Sequence, residues 1–181
     1  MNRKEFLAKS LKMSLCCGAL INLKESIAHP APAQQPAQSD LEFMANWLTD
    51  LLDTIEAEVD PETRAKLMAG CGRGCFRRHQ FKRNIASTGK GDIGKLIEAY
   101  SENFNVWREG DKVHIQYGTV SPHCYCPVVR NRLPKPNDMH CDCTRATHQS
   151  IFEEALQRPV KVEIIETLRR HGKTCHFVAH V

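Results

Sequence analysis

Two Cys-x-Cys pairs stand out, Cys124-Tyr-Cys126 and Cys141-Asp-Cys143, separated by fourteen residues, and each is preceded by a histidine, His123 and His140. In an extended segment residues i and i+2 point to one face, so both sulfurs of a pair can reach the same ion. Thiolates are strong ligands for zinc and iron, and four of them in two short chelates would close a tetrahedral site of the structural kind. The neighbouring histidines would supply a further ligand or a hydrogen bond to one. The expected metal ligands are therefore Cys124, Cys126, Cys141 and Cys143, with zinc ahead of iron. Cross-motif disulfides and free thiols are the competing readings.

A third pair, Cys71 and Cys75, has helical i, i+4 spacing, and His79 continues that face. On a helix the Cβ atoms of such a pair stand about 5–6 Å apart, against the roughly 3.5–4.5 Å that a disulfide needs. Cys71, Cys75 and His79 can line a pocket, complete a metal site, or act as thiol nucleophile and base. They can equally be small soft residues in the core. Arg73, Arg77, Arg78, Lys82 and Arg83 crowd the same stretch with no acidic residue among them. Such a field favours a thiolate or an anionic ligand, or it is simply a solvated helix face.

These residues need elements to hold them. Ser39 with Glu42 has the form of a capping box, and Leu41, Met44, Leu48, Leu51, Leu52 and Ile55 follow at helical spacing. Asp60-Pro61 starts a second helix, which carries Leu67, Met68, Cys71 and Cys75; Gly70, Gly72 and Gly74 weaken it but let another backbone or a ligand come close. Ser87 to Gly91 reads as a loop. Asp92 caps a helix with Ile93, Leu96, Ile97 and Tyr100 on one side. A turn at Glu109-Gly110-Asp111 leads into a strand in which Val113, Ile115 and Tyr117 alternate with polar residues. A helix over 144–156 turns Ile151, Phe152 and Ala155 inwards. Strands follow at Val160, Val162, Ile164 and at Cys175, Phe177, Ala179, with a turn at His171-Gly172. The fold class is α+β: N-terminal helices packed on a small antiparallel sheet, with one inserted helix. Within it the two Cys-x-Cys pairs are expected to meet, Cys71 and Cys75 to face them, and Cys175 to stay apart in the sheet.

The length of 181 residues suits one domain with a real core. Residues 1–33 read as an export signal. Asn2-Arg3-Lys4-Glu5-Phe6-Leu7-Ala8-Lys9 resembles a twin-arginine motif with lysine in the second arginine's place. Ala31-Pro32-Ala33 offers a cleavage site. The apolar run Met13 to Leu23 is too short for a stable membrane span. A large residue, Leu15, before Cys16 argues against a lipoprotein. Residues 34–38 form a linker and 39–181 the cysteine-rich domain. Three of the chain's four net positive charges lie in residues 1–33. The remainder is almost neutral, which argues against a nucleic-acid partner. Of the nine cysteines, seven follow the leader, an odd number that cannot pair completely. The expected location is periplasmic or otherwise exported, with the twin-arginine export machinery as a partner, or cytoplasmic if the signal does not function.

The motifs Cys71-Gly72-Arg73-Gly74-Cys75, Cys124-Tyr125-Cys126 and Cys141-Asp142-Cys143-Thr144, with the ending Val162-Glu163-Ile164 … Gly172-Lys173-Thr174-Cys175-His176-Phe177, resemble an uncharacterised cysteine-rich bacterial family over residues 64–181. The ending alone is also similar to aminothiazoline carboxylic acid hydrolase-like proteins and to small-molecule-binding domains of the vinyl-reductase type. The resemblance implies an α+β fold and a small-molecule partner. The combined expectation is an exported, metal-stabilised small-molecule-binding or accessory domain. The alternative is a thiol- or metal-dependent hydrolase acting on a small sulfur- or nitrogen-containing substrate, with Cys71, Cys75 and His79 as the candidate catalytic group.

Overall fold

Residues 38–129 and 131–181 are described by the computed structural model of the chain, and they belong to one compact unit, residues 36–181. The expected export signal lies outside the described residues, as does the linker except for Gln38, which is already helical. Among the described residues there are five α-helices and a four-stranded antiparallel sheet, the α+β class expected. No helix among them is long and apolar enough to cross a membrane.

Helix α1 spans Gln38–Glu58, so Ser39 sits inside its first turn and does not cap it. Its apolar stripe is covered at one end only. Leu52 packs with Met68, Val129 and Met139, whereas Leu41, Phe43, Met44 and Trp47 are exposed. Helix α2 spans Pro61–Arg78 and begins as the sequence dictates: Asp60 Oδ1 accepts from the Thr63 N–H at 3.0 Å, and Pro61 takes the first turn, where its missing N–H costs nothing. His79 then adopts extended dihedrals and ends α2, its N–H donating to the Cys75 carbonyl. It does not continue the Cys71/Cys75 face as expected; it is the hinge into α3, Gln80–Thr88. Sequence reading passes over this helix. Helix α4, Ile93–Ser101, is capped by Asp92, whose Oδ1 accepts from the Gly94 and Lys95 N–H groups.

Strands β1 (Asn105–Glu109) and β2 (Lys112–Gln116) form a hairpin closed at Glu109–Lys112, with Gly110 at φ +61° in the turn. After a 3₁₀ turn at Pro127–Val129 comes α5, Cys141–Leu156. It starts three residues earlier than expected. Strands β3 (Lys161–Glu166) and β4 (His176–His180) complete the sheet in the order β1-β2-β4-β3, every neighbour antiparallel. The odd-numbered residues Val113, Ile115, Phe177 and Ala179 turn one face towards the helices. They meet Leu96, Tyr100, Ile151, Phe152 and Ala155 in the main core, the burial that holds helices and sheet together.

Candidate functional site

The site begins with a missing side chain. A Cβ built on Gly72 would lie 2.4 Å from the Cys143 carbonyl oxygen and 2.7 Å from the Ala146 Cβ. Only glycine lets α2 and α5 cross this closely. The Thr147 hydroxyl sits at the crossing, within hydrogen-bond reach of the Gly72 carbonyl at 3.2 Å and the Cys143 carbonyl at 3.0 Å. The crossing sets Cys75 on α2 beside Cys143, Thr147 and His148 on α5. Helix α3 brings Phe81, Lys82 and Ile85 to the same place. The segment after β2 brings Tyr117 and then Cys124, Tyr125 and Cys126. Together they enclose a cavity of about 520 Å³.

Of the residues singled out in the sequence, Cys75, His79, Cys124, Cys126 and Cys143 line this cavity, and Cys175 joins them. Cys175 was expected in the sheet, away from the others; it lies just before β4, where its carbonyl accepts from the Tyr117 N–H at 2.9 Å. Cys71, also on α2, is exposed and does not line the cavity. Cys141 is buried elsewhere, its sulfur 3.0 Å from the Thr167 hydroxyl. The four expected metal ligands are therefore not brought together. The reason is the early start of α5: on a helix residues i and i+2 diverge by roughly 200°, so Cys141 and Cys143 point apart where an extended segment would align them. All seven cysteines among the described residues are free thiols. No three His, Cys, Asp or Glu side chains among those residues are arranged to hold a metal ion.

Burial sets the charge state of these thiols. It pushes Cys143 up to about 12, with the nearby Cys71, Cys75 and Cys126 adding to the rise. It pushes Cys126 and Cys175 up as well, so these three are neutral thiols near pH 7. Cys141 is likewise pushed up to about 12 by burial. Among the described residues the one ammonium on the cavity wall is Lys82, whose Nζ donates to the Cys75 sulfur at 2.8 Å. No carboxylate lines the cavity among the described residues, and none of them pairs with Lys82.

Sequence reading missed the polar core of the wall. His148 is 2% exposed, with Nδ1 3.1 Å from the Tyr100 hydroxyl and Nε2 3.0 Å from the Tyr117 hydroxyl. Burial, and secondarily Lys82, drives it down to about 3, so the imidazole is neutral. Burial also raises both tyrosines, which stay protonated. The signal was present: His148 lies on the same helical face as Ile151, Phe152 and Ala155, and Tyr117 continues the inward alternation of β2. A histidine on an apolar face reads as core, and only the two hydroxyls beside it show otherwise.

Three solved structures align with the chain at low identity. A trafficking protein particle complex subunit 3 from Naegleria fowleri, covalently bound to palmitic acid, aligns at 10% identity over 80% of this chain and 96% of its own, with a TM-score of 0.49. The phenol-responsive sensory domain of the transcription activator PoxR, with phenol, aligns at 11% identity over 77% of this chain and 73% of its own, with a TM-score of 0.44. A vinyl-4-reductase family protein from Methanocaldococcus jannaschii aligns at 11% identity over 82% and 83%, with a TM-score of 0.36. No curated protein matches the sequence. A family model matches residues 8–179, almost the whole chain, and the protein belongs to that family, a family of unknown function (DUF6144).

Proposed function

We propose that this chain is a small-molecule-binding domain whose ligand occupies the cavity between α2, α3, α5 and the segment after β2. The observation that carries this reading is the cavity itself. Its volume of about 520 Å³ falls in the roughly 300–1,000 Å³ range of ligand pockets. Its walls carry aromatic and apolar side chains, from Phe81, Ile85, Phe104, Tyr117 and Tyr125, with a few polar groups among them. The neutral dye N-phenyl-1-naphthylamine tests it. Saturable binding at one site per chain is expected, abolished by Thr144→Trp, which fills the cavity from α5. Dye binding that Thr144→Trp leaves unchanged would place the dye elsewhere and remove the support for this reading.

A second reading rests on the sulfurs. Four of the cavity thiols, Cys75, Cys124, Cys126 and Cys143, are a soft donor set suited to zinc or iron once deprotonated, and would have to draw together to share one ion. This set replaces the one containing Cys141. Elemental analysis of protein purified without an affinity tag tests it. About one equivalent of metal is expected, released when Cys143 and Cys126 are both replaced by serine. Less than about half an equivalent, with the thiols still reduced, ends the metal reading.

A further inference from the structure

Two polar groups on the cavity wall, Lys82 and Tyr117, can each meet a ligand. The first is Lys82, an ammonium facing an aromatic cavity with no carboxylate among the described residues to neutralise it. Its one hydrogen bond among them goes to the Cys75 sulfur. A half-buried cation whose neighbours are a sulfur and the Phe81 ring, 5.5 Å away at its centroid, with no carboxylate among the described residues, suits an anion.

The second is Tyr117, and hydrogen-bond accounting gives it a direction. Tyr100 is fully buried, and its hydroxyl has a single partner among the described residues, Nδ1 of His148. A buried O–H needs an acceptor, so Tyr100 donates and Nδ1 accepts. The proton of the neutral ring is then on Nε2, which donates to the Tyr117 oxygen. That leaves the Tyr117 O–H without an acceptor among the described residues, and Tyr117 lines the cavity. The chain Tyr100 to His148 to Tyr117 is thus a fixed donor whose end is available to a ligand. Each member is held by packing: Tyr100 stacks on Phe152 with ring centroids 5.3 Å apart, and Tyr117 packs on Phe104 at 4.6 Å.

We propose that the cavity takes an amphipathic ligand with an oxyanion head, held by the Lys82 ammonium and the Tyr117 hydroxyl, and an apolar body lying against the aromatic wall. This rests on the small-molecule reading above and deepens it. The donors recognise the head as a charge-assisted hydrogen-bond acceptor, and the aromatic side chains take up the body by area burial.

The test uses two dyes with the same arylamine-naphthalene body. One is 1-anilinonaphthalene-8-sulfonate, which carries an oxyanion; the other is the neutral N-phenyl-1-naphthylamine. Both are titrated into the full chain and into Lys82→Met, Lys82→Arg and Tyr117→Phe. Removing a hydrogen bond to a charged group is expected to weaken the sulfonate dye about tenfold in Lys82→Met and in Tyr117→Phe. Lys82→Arg, which keeps the charge, should hold it within about threefold. The neutral dye should bind all four proteins within about twofold, which also shows that each variant keeps its cavity. Equal weakening of both dyes, or a sulfonate dye indifferent to both substitutions, overturns the oxyanion assignment and leaves the cavity reading standing. Failure of the wild-type chain to bind either dye overturns both.

Discussion

Replacing Gly72 by alanine tests the idea that one missing side chain creates the site. The new Cβ would stand 2.4 Å from the Cys143 oxygen, 2.7 Å from the Ala146 Cβ and 2.9 Å from the Thr147 nitrogen. Two of these are backbone atoms of a packed helix and cannot swing aside. Ordinary carbon contacts need about 3.5 Å, so α2 and α5 must part by about 1 Å. Overpacking of this kind costs about 1–3 kcal/mol, and stretching the Thr147 contact to the Gly72 carbonyl costs about 1 kcal/mol more. Alanine returns up to about 1 kcal/mol of helix propensity. The net expectation for Gly72→Ala is a loss of about 1–3 kcal/mol. Gly70→Ala, in the same helix, is the control. Its Cβ would meet nothing nearer than the Arg73 guanidinium at 3.9 Å, so it should keep the propensity gain of up to about 1 kcal/mol. Urea unfolding followed by circular dichroism measures both. A Gly72→Ala protein as stable as Gly70→Ala would refute the close-crossing argument.

Other expectations follow from the buried charges and thiols. Asp138 is fully buried; it accepts from Arg132 at 2.8 Å and from Arg169 at 2.9 and 2.6 Å. Asp138→Asn leaves both guanidiniums short of their buried counter-charge and should cost about 3–5 kcal/mol in urea unfolding; a loss below about 1 kcal/mol contradicts the network. Burial holds His148 down to about 3 and His140 down to about 4, below the ordinary 6.5. The unfolded chain therefore binds more protons between these values, and the stability present above pH 6.5 is lost as pH falls. From about pH 6.5 to 4 each histidine contributes a loss of about 1.4 kcal/mol per unit. A urea midpoint that stays flat from pH 6.5 to 4.5 would count against neutral, buried imidazoles. Iodoacetamide labelling of the folded chain, read by peptide mass mapping, should modify exposed Cys71 first and Cys141 last, by at least about tenfold. Equal rates would show that Cys141 is not sequestered against Thr167.

Much of the fold was legible because apolar spacing and capping residues agree with each other. Asp60-Pro61, Asp92 and the Val113-Ile115-Tyr117 alternation each place an element where the structure has it. Helix α3 was hidden because the basic run from Arg73 to Arg83 masks a break at His79 that no proline or glycine announces. The site was half legible. Cys75, Cys124, Cys126, Cys143 and His79 were all identified as candidates and all reach one cavity. What failed was the direction of Cys141. A helix start displaced by three residues is a small error for an element but a large one for a chelate, because it exchanges a two-residue period for a 3.6-residue one. Lys82 was noted for charge alone. The role of Tyr117 depends on its contact with His148, 31 positions away, which no local pattern encodes.

The strand order also governs when the protein can exist. Residues 176–180 are threaded between β2 and β3, so neither of those strands reaches its inner neighbour until this segment has been translated. A nascent chain halted before residue 176 can form the β1–β2 hairpin, a unit of marginal stability by itself. Val113, Ile115, Val162 and Ile164 would then lie along open strand edges, which template pairing with other chains. One of the three pairings, β2 with β4, joins residues 60 to 68 positions apart, and contacts so distant in sequence are slow to form. Vectorial synthesis therefore builds the helices first and closes the sheet last, so that a ribosome stalled in the final turn before β4 releases an aggregation-prone fragment in place of a smaller working domain.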